Sequence, residues 1–83
     1  MYKVIIPKFV LKELKKITKT DQQLILNKVA DLEKGKFGND KALKGKYQGK
    51  FRKRAGNYRI VYFIENDILL ITLVRVAHRK EVY

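Results

Sequence analysis

The chain has 83 residues, 46% of them hydrophobic, with no cysteine, one histidine and 20 Lys and Arg against 8 Asp and Glu, a net charge of +12. That length allows one domain, residues 1–83, with a small core, and the apolar fraction argues against disorder. Without cysteine there is no disulfide framework, thiolate nucleophile or thiolate metal site, and one histidine makes no histidine cluster, so no metal and no cofactor are expected.

Tyr2 to Ile6 reads as a short strand, and Pro7 ends it where a helix can begin its first turn. Val10, Leu11, Leu14 and Ile17 recur at helical spacing and predict a helix through about Lys16. The run "TDQQ" (Thr20 to Gln23) has the form of a capping box, with Thr20 as N-cap and Gln23 reaching back. It opens a second helix with Ile25, Val29 and Leu32 on one stripe, ending at Gly35. The short link between the helices predicts an antiparallel hairpin. Gly35 to Gly49 is rich in Gly and Lys and reads as a loop.

Three strands follow, Lys50 to Arg54, Tyr58 to Ile64 and Ile68 to Ala77, joined by turns at "AGN" (Ala55 to Asn57) and "END" (Glu65 to Asp67). The near-continuous apolar run of the last one predicts a strand buried on both faces, hence central. The order is β-α-α-β-β-β: an α+β fold with a helix hairpin packed on one face of a small, mainly antiparallel sheet. No stretch approaches a membrane span, and the apolar run before Pro7 is too short for a signal peptide, which predicts a cytoplasmic protein.

The charge is concentrated. From Lys41 to Ile64 there are eight Lys or Arg and no acid. A balance of +12 opposes compaction by self-repulsion and is better explained by an acidic partner than by solubility. That partner is nucleic acid, an acidic membrane surface or an acidic protein. Strand alternation puts Lys50, Arg52 and Arg54 on one face, with Phe51 and Lys53 on the other. Arg59 points with Val61 and Phe63, opposite to Tyr58, Ile60, Tyr62 and Ile64. If the helices cover one face, cations are left on the other, while Tyr58 and Tyr62 belong to the core. The bland readings are a solvated strand face for Lys50, Lys53 and Arg54, a structural ion pair for Arg59, and a satisfied or exposed His78. Lys12, Lys15, Lys16 and Lys19 read as a wet helix face.

"LKG" (Leu43 to Gly45), the basic strand, "NYRIVY" (Asn57 to Tyr62) and the closing "HRKEVY" (His78 to Tyr83) together resemble the RelE branch of the RelE/ParE superfamily of bacterial and archaeal toxins. Their order and spacing carry the resemblance, which spans about the second half of the chain; the first half agrees in element order and apolar pattern. The resemblance implies the toxin of a type II toxin–antitoxin system, a ribosome-dependent mRNA endonuclease whose partners are mRNA, the ribosome and a cognate, small and acidic antitoxin. The family's catalytic positions fall on Lys50, Arg52 (a lysine in the family), Arg59, Arg79 and Tyr83. The tail from Arg79 to Tyr83 is shorter than in some relatives, and His78 stands where relatives often carry His or Lys. Lys44, Lys46, Lys53, Arg54 and Arg75 are expected to contact RNA, and Arg75 is equally suited to an acid or a partner.

RNA can be cut without metal because its 2′-OH is an internal nucleophile. The attack needs a base near the 2′-OH, cations for the phosphorane charge, and an acid for the departing 5′-oxygen; acid and base each contribute roughly 10²–10⁴-fold. Arginine forks suit the phosphate oxygens, but a guanidinium is a poor base. Lys50 is the base the resemblance favours, if nearby cations lower its pKa. His78, the chain's one imidazole, is the alternative acid or base, and Tyr83 could stack on a base or donate a proton. The same fold would also suit a ParE-like inhibitor of DNA gyrase that cuts nothing, or a plain basic RNA-binding module. Lys50, Arg59, Arg79 and Tyr83 together favour the nuclease.

Overall fold

The computed structural model describes residues 1–82; the expected catalytic residue Tyr83 lies outside the described residues. The elements are β1 (Lys3–Ile5), α1 (Lys8–Lys15), α2 (Lys19–Glu33), β2 (Lys41–Ala42), β3 (Phe51–Ala55), β4 (Tyr58–Glu65), β5 (Leu70–His78) and α3 (Arg79–Val82). Two 3-10 turns, Gly45–Tyr47 and Asn66–Ile68, lie between them. The strands form one sheet in the order β1-β5-β4-β3-β2. Only the β1–β5 pairing is parallel. This is the α+β architecture the sequence predicts. β5 is interior, and β4 holds the middle of the sheet.

The helix pair packs on one face. Val10 and Leu14 of α1 and Ile25, Val29 and Leu32 of α2 meet Ile60, Tyr62, Ile71, Leu73 and Val76 of the sheet. Leu11 is 43% exposed. It stands about 100° around the helix from Val10, off the buried stripe. Burying each large aliphatic side chain is worth roughly 1.5–3 kcal/mol, so this one contiguous core holds the layers together.

α2 starts at Lys19, two residues earlier than the predicted capping box implies. Its N-cap is Thr18, whose Oγ1 accepts the Asp21 N–H at 3.4 Å. "TKTD" offers threonines two residues apart, and the first has the acid three positions on. Gln23, expected to reach back to the cap, instead donates forward to Asn27 Oδ1 at 3.0 Å.

The stretch Gly35 to Gly49 is more ordered than a loop reading implies. It contributes β2, which pairs with Phe51 and Arg52, and the turn Gly45–Tyr47. β3 runs one residue later than predicted, so Lys50 precedes it.

The second sheet face is partly covered. Val61, Ala77 and Val82 form a small cluster with Leu43, Tyr47 and Val74, which docks α3. Val61 faces Arg75 while Tyr62 faces Leu73, so Val74 is the extra residue of a β-bulge. β1 covers β5 only from Leu70 to Thr72. Farther along that edge, Glu13 of α1 accepts the Val76 N–H at 3.0 Å. A side chain thus stands in for a missing strand.

Candidate active site

β3 and β4 are joined by the two-residue loop Gly56–Asn57, with Ala55 opposite Tyr58. Gly56 has φ +63°, and a Cβ there would lie 2.8 Å from Leu24 Cδ2 of α2. Glycine therefore serves both the turn and its close approach to the helix. The register that follows puts Arg54 directly opposite Arg59, and Arg52 opposite Val61. Like charges facing across a strand pair are destabilising, so sheet stability gives no reason for this arrangement.

Arg59 lies deepest, 6% exposed. One terminal nitrogen, Nη1, donates to the carbonyls of Gly56 and Tyr58, each at 2.8 Å. Its Nε is buried without a hydrogen-bond partner. Burial, and then the charges of Arg52, Arg54 and Arg79, hold its pKa below the ordinary guanidinium value. Guanidinium titrates so high that the charge persists at neutral pH. Among the described residues no carboxylate forms an ion pair with Arg59. Arg79 opens α3, and its N–H donates to the Asn57 carbonyl at 2.8 Å, which ties the helix to the hairpin turn. Arg52, Arg54, Arg59 and Arg79 are thus gathered at one end of the sheet. Four guanidiniums around a half-sheltered spot can share the oxygens of one phosphate through paired N–H groups.

The other expected residues are distributed around this cluster. Lys50 shares strand parity with Arg52 but sits at the far end of β3, about 13 Å along the strand from Arg54. Its N–H donates to the Tyr47 carbonyl at 3.0 Å and its carbonyl accepts the Leu43 N–H at 2.9 Å. Lys44 and Lys46 are exposed beside the turn Gly45–Tyr47. The Lys46 ammonium lies 5.2 Å from the Tyr47 ring centre. His78 is brought to a different place: its ring meets Tyr58 edge-on at 5.6 Å, on the side where Tyr58 packs against the helix-face core. The sheet stands between His78 and Arg59.

Two expected RNA contacts are held within the protein. The Lys53 ammonium donates to Asp40 at 3.3 Å and to the Lys36 carbonyl at 2.9 Å, and Lys53 is 6% exposed. Asp40 also accepts a short hydrogen bond from Tyr62. Burial first, and then Asp40, push the Tyr62 phenol pKa upward. Lys53 therefore faces the helix side, as its parity predicts, and has no ammonium face to offer RNA. Arg75 meets Glu13 at 3.5 Å, Glu81 at 3.6 Å and the Tyr47 hydroxyl at 3.5 Å. The Tyr47 hydrogen bond, opposed by burial and aided by Glu13 and Glu81, raises its pKa. Arg75 ties α1, β5 and α3 together, which fits the acid-pairing alternative.

Sequence reasoning missed Asp40, Glu13 and Glu81 as the partners of these cations. The signal was present for Asp40: a lysine whose parity turns it toward the core needs a buried acid, and Asp40 is the last acid before the acid-free stretch. Among the described residues no group of three or more His, Cys, Asp or Glu side chains could hold a metal ion.

The sequence model of the ParE toxin of type II toxin–antitoxin systems matches residues 4–83. This chain belongs to that family, within the RelE/ParE superfamily. Solved structures extend the relationship. The RelE–RelB complex of Pyrococcus horikoshii has a chain 26% identical to this one, with 94% of each covered and a TM-score of 0.80. The RelBE2 complex of Mycobacterium tuberculosis matches at 26% identity, covering 94% of this chain and 98% of that one, with a TM-score of 0.69. The isolated RelE toxin of E. coli shares the fold at 21% identity, covering 100% and 92%, with a TM-score of 0.77. A search of curated proteins finds no match.

Proposed function

We propose that this toxin is a ribosome-dependent mRNA endonuclease of the RelE kind. The observation that carries the reading is the pair Arg54 and Arg59, facing each other across the hairpin with Arg52 and Arg79 beside them. A buried guanidinium with no carboxylate paired to it among the described residues is suited to the charge of a phosphorane. In the reaction, the 2′-oxygen loses its proton to a base and bonds to the adjacent phosphorus. The bond from phosphorus to the 5′-oxygen breaks, leaving a 2′,3′-cyclic phosphate, and the departing 5′-oxygen takes a proton from an acid to become a hydroxyl. Arg59, Arg52 and Arg79 stabilise the charge that develops on the phosphorane oxygens. Lys50 is the base by resemblance and Tyr83 a stacking or acid group. His78, across the sheet, takes no direct part.

The partner is a small acidic antitoxin. The exposed Phe9, Leu11 and Leu26 on the helix pair suit the apolar face of an amphipathic helix, and relatives were solved as a RelE–RelB complex and as the toxin–antitoxin complex RelBE2. The toxin acts in the cytoplasm, where ribosomes translate; no helix among the described residues is long and apolar enough to cross a membrane. The test is to map mRNA ends in a purified translation system with and without this protein. New 5′-hydroxyl ends within ribosome-bound message support the reading. Intact message, with gyrase supercoiling inhibited instead, favours the ParE-like reading, for which the matching family model speaks.

A further inference from the structure

β2 covers only Phe51 and Arg52, so the edge of β3 from Lys53 onward is left without a neighbouring strand. An open cleft of about 870 Å³ runs along that edge, between α2 and the loop that carries Asp40. Leu24, Lys28 and Asp31 line its helix wall and recur at i, i+4 and i+7, hence on one face of α2. Lys36 and Lys41 line the loop wall, and the arginines of the candidate site form the remaining lip. The lining holds seven cationic residues and two carboxylates. One of those carboxylates, Asp40, is already paired with Lys53 inside the protein. That leaves Asp31 alone against a wall of cations.

We propose that this cleft is a second binding subsite, one that holds the phosphodiester backbone of single-stranded RNA as it leaves the arginine cluster, with Lys28 and Lys36 as its contacts. The choice of RNA as the polyanion rests on the nuclease reading. Three features favour RNA over an acidic peptide. Arg52, Arg54 and Arg59 line the cleft themselves, so a strand held by the arginine cluster already enters it. Its lining is poor in apolar side chains, with Leu24 and Phe37 alone, and Phe37 is already packed against Tyr2 and Tyr62. A helical peptide needs an apolar floor to anchor it. Lysines on an open wall are suited to a charged backbone read without sequence preference.

The test measures binding directly, so that it reads out whether or not the protein cuts RNA. The probe is a short single-stranded RNA, 2′-O-methylated throughout, which removes the internal nucleophile. The variant is Lys28→Ala with Lys36→Ala, and the control is Lys12→Ala with Lys15→Ala, which removes the same charge from the exposed face of α1. Each phosphate contact on a single strand contributes roughly 0.7 to the logarithmic salt slope. The cleft variant should lose about 1.4 from that slope and bind more weakly at every salt concentration, while the control keeps the wild-type slope. An unchanged slope for the cleft variant overturns the proposal. So does a variant that binds RNA as wild type but loses association with the antitoxin, because the cleft then serves an acidic protein. Failure of the nuclease reading is seen separately, as uncut message in the translation assay.

Discussion

Lys53 is an ammonium held beneath the sheet by Asp40 and the Lys36 carbonyl. Its neighbour in sequence, Arg54, is exposed on the other face. Removing one partner of a buried ion pair leaves the other charged and unsolvated, at a cost of about 3–5 kcal/mol. Lys53→Ala should therefore lower unfolding stability by an amount of that order, a large share of what a small domain has. Urea unfolding measures it, and a loss under about 1 kcal/mol would mean the pair is not formed in solution. Tyr62 gives a pH signature at the same site. Its folded pKa is raised above the unfolded value of 10.0, so the native state favours the neutral phenol. That contribution is complete below pH 10 and is lost as pH rises toward the folded value, by roughly 1.4 kcal/mol per pH unit for one group. Tyr62→Phe should remove this alkaline decline while costing stability at pH 7. Equal decline in both proteins between pH 10 and 11 would contradict it.

At the scale of elements, the β3–β4 hairpin positions the site, and its turn is the weak point. Gly56→Ala places a side chain in the left-handed region, costing roughly 1–2 kcal/mol, and presses on Leu24 Cδ2. The expected result is a less stable protein in which Arg54 and Arg59 no longer face each other squarely. Thermal unfolding and RNA affinity, measured together, should both fall; a stable variant with weaker binding would place the fault in register alone. Much of this hairpin was legible in the sequence. The alternation of Phe51, Lys53, Tyr58, Ile60 and Tyr62 identifies the covered face, and Gly56 identifies the turn. β2 was not legible, because two exposed residues carry no periodicity; its existence depends on pairing with Arg52 and Phe51. The helix start was misplaced because two threonines two positions apart make equivalent local signals. The position of His78 across the sheet from Arg59 depends on β5 running one residue beyond Ala77, a boundary that apolar patterning does not mark. Partners such as Glu13 for Arg75 lie 62 positions apart in sequence, and nothing local announces them.

The whole molecule is a cation of net charge +12, with four arginines at one end of the sheet and lysines spread over the rest of the surface. Binding to ribosomes should weaken with salt at a logarithmic slope corresponding to at least about three phosphate contacts, each worth roughly 0.7–0.9. A flat response between low and physiological salt would place the binding surface elsewhere. The arginine cluster itself is tested by the rate of the chemical step. A group aimed at transition-state charge lowers that step when removed and costs little ground-state binding. The decisive measurement is single-turnover cleavage of ribosome-bound mRNA at saturating protein, wild type against Arg59→Ala, with ribosome binding followed by co-sedimentation. Arg59→Ala is expected to sediment with ribosomes still and to cut about 10²–10³-fold more slowly. Cleavage by Arg59→Ala at the wild-type rate would contradict it.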